Sequence, residues 1–196
     1  MLTNTQIFSI AEKMNVKDKI VDCLYKDKLS DINFEEDKAY IINLQDSPTK
    51  DEDLNGTHWT LLYSQTFSKD NVSEYVYFDP TGIPPPQEVL RFVGKSQIPY
   101  TIKNIQGKFQ QSCGWYCLAF LYFLTTFPLR TTYLYTDVEN FLSLFEDNLD
   151  DKIDLMKNEL VLQSFFKETP ITEELKGEVD VNSIVNENRF LEQQGL

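Results

Sequence analysis

Apolar positions at helical spacing open the chain. In TNTQIFSIAEKM (3–14), Ile7, Ile10, Ala11 and Met14 fall on one face, behind Thr3 or Asn4 as N-cap. A second short helix is expected over 20–24. The period then changes. AYIINL (39–44) is dense in β-formers and reads as a strand, and after the polar loop QDSPTKDEDLNG so does THWTLLY (57–63). SQTFSKDNVS turns the chain into a third strand, EYVYFDP (74–80). The triple proline of TGIPPPQEVLRFV cannot lie inside an element, but it can precede a helix beginning near Gln87. IPYTIKNIQ (98–106) reads as a further strand. QSCGWYCLAFLYFL (111–124) reads as a buried helix, because the apolar run 115–127, broken by Thr125 and Thr126, falls short of the ~20 residues a membrane span needs. A break is expected at Pro128, then helices over 138–149 and 155–166. The order of helix, strands, buried helix and further helices predicts an α+β fold, with a small, mostly antiparallel sheet packed against helices.

Composition narrows the function classes. With 196 residues, 41% of them hydrophobic and 13% aromatic, the chain is long and apolar enough for one folded domain. That domain is expected over 1–172, with 173–196 as an acidic tail or peripheral helix. The net charge of −13 argues against partners such as DNA or anionic lipid, since binding phosphates needs a set of Lys and Arg that no stretch supplies. Residues 141–196 carry thirteen acidic and five basic residues, so most of that charge sits in the last third. No basic, apolar leader opens the chain, so secretion is not expected. Three cysteines at uneven spacing form neither a disulfide framework nor a CxxC knuckle, which fits a reducing compartment and no metal or other cofactor.

The chain has one histidine, His58. A single histidine is ordinarily structural, but its surroundings point elsewhere. Side chains alternate along a strand, so His58, Thr60 and Leu62 share one face, as do Tyr75, Tyr77 and Asp79. If the two strands are hairpin neighbours, one register sets Asp79 beside His58. Asp79 also stands before PTG, where an aspartate commonly forms a turn. Cys113 precedes the apolar helix, and a thiol at a helix N-terminus feels the positive end of the dipole, which favours the thiolate nucleophile. Gly114 leaves room beside the sulfur for a substrate backbone. Cys117 and Cys23 read as buried apolar residues. An oxyanion hole could use the Cys113 N–H together with a side-chain amide from Gln106, Gln110 or Gln111, and spacing does not choose among the three.

GTHW, then YFDPTG, then IQGKFQQSCGWYC resembles adenain, the maturation cysteine protease of adenoviruses, and its relatives in virophages and Polinton-type elements, with the mavirus-type virophage branch nearest. The family order is His, acid, Gln, Cys; here it reads His58, Asp79, Gln106, Cys113, with Gln seven residues before Cys. The likeness covers roughly residues 1–130. It implies a viral endopeptidase with a His-Asp-Cys triad and the Gln106 amide in the oxyanion hole, acting on capsid or core precursor proteins after Gly-type residues. It implies a location in the virion and host cytoplasm, at viral factories, and a monomer is expected. Trp59 would then wall a narrow glycine tunnel, as a similarly placed Trp does in deSUMOylating proteases; alternatively it faces the core. Two departures stand out. Asp79 replaces the Glu of adenain, and no cysteine lies between PPP and IQGKFQQS to bind the disulfide-linked activating peptide, so neither that peptide nor DNA is expected as a cofactor. The alternatives are a deubiquitinating or deSUMOylating isopeptidase of the same fold, or a silent binding scaffold.

Overall fold

The computed structural model describes residues 2–48, 58–67, 72–107, 110–126 and 133–167. The first helix, α1 (Asn4–Lys13), starts at Thr3, whose hydroxyl accepts from Gln6 N while the Gln6 side chain accepts from Thr3 N. This reciprocal box satisfies two otherwise orphaned N–H groups. The segment expected as a second helix is instead strand β1 (Ile20–Tyr25). Its β-branched Ile20 and Val21 suit a strand, and the choice is made by pairing: β1 lies parallel to β2 (Ala39–Asn43), and Asn4 Nδ2 donates to Cys23 O from α1. β2 pairs antiparallel with β3 (Trp59–Phe67), and β3 antiparallel with β4 (Val72–Phe78), giving the order β1-β2-β3-β4. The sheet is therefore mixed, and antiparallel in all but its first pairing.

The strand expected over 98–106 does not form. Only an isolated parallel bridge joins Tyr100 to Tyr77. Pro99 has no N–H to give a ladder, and the chain then leaves the sheet edge, Ile105 N and Gln106 N both donating to Pro80 O. Helix α2 (Gln87–Val93) begins directly after the prolines and ends at Gly94 in left-handed backbone. α3 (Cys113–Thr126) follows, then α4 (Leu134–Leu142) and α5 (Lys152–Lys167), both beginning earlier than their sequence patterns, with α4 ending at Leu142 rather than at 149. The break at Pro128 and the tail 173–196 lie outside the described residues.

Alternation along the strands feeds two cores, one on each face of the sheet. Ile41, Leu61 and Phe78 pack with α1 and α3; Tyr40, Ile42, Leu62 and Tyr77 pack with Val89 of α2. α3 is buried almost all round, which is why its sequence shows no polar face. Phe120 of α3 stacks on Phe78 at 4.2 Å, and Phe141 of α4 meets both edge-on. Among the described residues no helix is long and apolar enough to cross a membrane.

Candidate active site

The site lies where β3 begins, β4 ends and α3 starts. The β3–β4 register pairs Leu61 with Phe78; one step on, Thr60 faces Asp79, and His58 is the next residue on that face. His58 Nε2 lies 2.9 Å from Asp79 Oδ1. The same oxygen accepts Thr81 N at 2.7 Å and Thr81 Oγ1 at 2.6 Å. Asp79 is thus both the turn-forming residue and the histidine's partner, and the turn's own hydrogen bonds hold the carboxylate in place. Gly82 completes this turn, its N–H donating to Asp79 O, and its φ of +76 together with a Cβ position 2.5 Å from Ile102 O requires glycine.

Cys113 is the first residue of α3 and is buried. Trp59 N, at the start of β3, donates to its sulfur at 3.4 Å, while Cys117 Sγ donates to Trp59 O at 3.5 Å. One strand residue therefore registers two turns of the helix against the sheet. Tyr116 N donates to Ser112 O, closing the first turn, and the Cys113 N–H has no partner among the described residues.

With Nε2 on Asp79, Nδ1 is the ring nitrogen left for sulfur, and Cys113 is among the groups that act on the His58 imidazole. Burial disfavours the charged imidazolium, but Asp79 and Cys113 outweigh it and raise the His58 pKa from 6.5 to about 9. Burial pushes the thiols of Cys23 and Cys117 well above the ordinary range, in keeping with their reading as apolar filling.

Gln106 is the buried one of the three candidate amides; Gln111 is exposed. Its backbone N–H is anchored to Pro80 O, directly behind Asp79, and its Nε2 donates to Gln110 O at 2.7 Å. Gln110 is used to fold the loop, its own Oε1 accepting Gly107 N. Among the described residues, Gln110 O is the partner of Gln106 Nε2, which carries a second proton. Trp59 takes the core reading: it is fully buried and its indole donates to Leu2 O at 2.9 Å. The room expected beside Gly114 for substrate is filled, since a Cβ there would meet Leu2 at 3.3 Å and Trp59 at 3.4 Å. Among the described residues no cluster of His, Cys, Asp or Glu could hold a metal ion.

Two site neighbours come from α5 and have no signal in the sequence. Glu159 accepts from Ser112 Oγ at 3.0 Å across 47 positions, and Asn158 Nδ2 donates to Ile105 O at 3.1 Å across 53. Such separations leave no local pattern to read.

No protein-family model matches the chain, and no curated protein sequence matches it. Among solved structures it is similar to the crystal structure of the ASFV pS273R protease, at 15% identity and a TM-score of 0.46, over 81% of this chain. The match spans 66% of that protein's length. At that identity the likeness concerns the course of the chain, and the chemistry rests on the residues themselves.

Proposed function

We propose that this chain is a cysteine endopeptidase of the viral maturation type. The observation that carries the reading is His58 bonded at 2.9 Å to the buried carboxylate of Asp79, with the next residue, Trp59, bonded through its N–H to the sulfur of Cys113 at a helix start. In the proposed mechanism Asp79 fixes Nε2–H, so that Nδ1 takes the Cys113 proton and forms a thiolate–imidazolium pair. The sulfur attacks the scissile carbonyl, forming a C–S bond. The oxyanion receives the Cys113 N–H and the second Gln106 Nε2–H, each such donor being worth about 3 kcal/mol. The C–N bond then breaks as Nδ1–H protonates the leaving amine. Nδ1 next takes a proton from water, whose oxygen attacks the thioester; the C–S bond breaks, the acid product leaves, and Nδ1–H returns its proton to the sulfur.

The finer parts of the proposal rest on the sequence motifs: capsid or core precursors as substrates, cleavage after Gly-type residues, the virion and viral factory as location, and the mavirus-type branch as nearest kin. The test is a fluorogenic peptide ending Leu-x-Gly-Gly before the dye, with the capsid precursor as second substrate. Cleavage by wild type, absent in Cys113→Ala and abolished by a thiol alkylator, is expected. No cleavage of either substrate, with Cys113 alkylated no faster than a free thiol, would overturn the reading in favour of a scaffold.

A further inference from the structure

We propose that Glu159 is a positioning residue, which through Ser112 sets where the Cys113 helix begins and so where the sulfur stands. The inference rests on the endopeptidase reading for its kinetic consequences, but its geometry is independent of it. Ser112 immediately precedes α3, and its carbonyl accepts the first helical bond, from Tyr116 N. Serine at such a position commonly serves its own helix as N-cap. Here its hydroxyl donates instead to Glu159 Oε1 at 3.0 Å, on a different helix.

Glu159 itself is unusual. It is 4% exposed, and its Oε2 is buried with no partner among the described residues. Burying a carboxylate with one oxygen unserved is costly, and an apolar or amide side chain would pack there more cheaply. Burial pushes its carboxyl above the ordinary range, partly offset by the Ser112 bond. The pair is not needed to dock α5. Leu162 and Phe166 already bury themselves in the main core, Phe166 meeting Trp115 edge-on at 4.9 Å.

What the polar residues add is position at Ile105 and at Ser112. Asn158 donates to Ile105 O, and its own side chain is held by Glu146 N at 2.7 Å and Glu146 O at 2.9 Å. Glu159 holds Ser112. Between those grips runs the segment that carries Gln106 and delivers Cys113. α5 thus clamps the oxyanion amide and the nucleophile to a common frame, from a helix that supplies neither.

The experiment compares Ser112→Ala, Glu159→Ala, the double variant and Glu159→Gln in the full chain. Each is measured for melting temperature, for kcat and KM on the cleaved peptide, and for the rate of Cys113 alkylation. Rates are normalised to alkylatable Cys113, so loss of folded protein does not count. Expected is a fall in kcat of about 10- to 100-fold in both alanine variants, as for a reacting group displaced by about 1 Å, with KM little changed. The double variant should be no worse than either single one, and Glu159→Gln, which keeps an acceptor for Ser112, should recover most of the rate. Wild-type kcat per titrated thiol in the alanine variants would overturn the proposal. So would Glu159→Gln behaving like Glu159→Ala. If wild type cleaves neither substrate and its Cys113 is alkylated no faster than a free thiol, the endopeptidase reading fails by itself; in the absence of cleavage the clamp is judged on alkylation. A tenfold change in Cys113 reactivity in both alanine variants, absent in Glu159→Gln, then supports it, and unchanged reactivity sinks it.

Discussion

Replacing Asp79 by asparagine removes a charge and keeps a shape. Asn Oδ1 can still accept Thr81 N–H and Thr81 Oγ–H, so the turn into Pro80 is retained. The consequence falls on His58. Burial alone disfavours its imidazolium, and Asp79 and Cys113 reverse this, carrying the pKa from 6.5 to about 9. That net rise corresponds to about 3 kcal/mol of stabilisation of the charged form. Without the Asp79 charge, less opposes burial, and the pKa should fall. Because the chain has one histidine, an NMR titration of its imidazole reports this site without assignment. The wild-type midpoint should lie near 9 and that of Asp79→Asn lower, with kcat/KM reduced roughly 10²- to 10⁴-fold. Stability follows by linkage. A raised histidine pKa stabilises fully below pH 6.5, and the contribution is lost as pH rises through about 9. Urea unfolding of the wild type should therefore lose about 3 kcal/mol across that window, and the variant much less. A His58 midpoint near 9 in Asp79→Asn would refute the reasoning.

Three further outcomes can be checked. In the native protein one equivalent of iodoacetamide should label Cys113, while Cys23 and Cys117 react only after denaturation, because burial suppresses their thiolates; mass spectrometry of the digested protein decides, and native labelling of Cys117 would count against the site geometry. Gly82→Ala should destabilise by roughly 1–3 kcal/mol from its positive φ, and further from the clash with Ile102 O, seen as a lowered midpoint in urea. Trp59→Phe removes the indole donor to Leu2 O, so thermal stability should drop by about 1 kcal/mol while KM for the peptide stays within twofold; a large rise in KM would restore the tunnel-wall reading.

The sequence by itself determined much of this protein. Thr3 and Gln6 mark the first helix because capping is local chemistry. The density of β-formers in 39–44, 57–63 and 74–80 marks β2, β3 and β4, and side-chain alternation along the last two already allows a register that joins His58 to Asp79. What local pattern could not supply is anything set by a distant partner. Residues 20–25 are a strand because β2 offers a parallel edge, and 98–106 fails as one because Pro99 and the Pro80 carbonyl draw the chain away. Trp59 is buried with its indole on Leu2 O, 57 positions away, and Gln106, unlike Gln111, is buried, its N–H on the Pro80 carbonyl behind the Asp79 turn. The clamp from Asn158 and Glu159 is the extreme case. Its hydrogen bonds cross some fifty residues of sequence, so no period or motif can announce them, and only the docking of α5 against the core brings those side chains to Ile105 and to the start of the Cys113 helix.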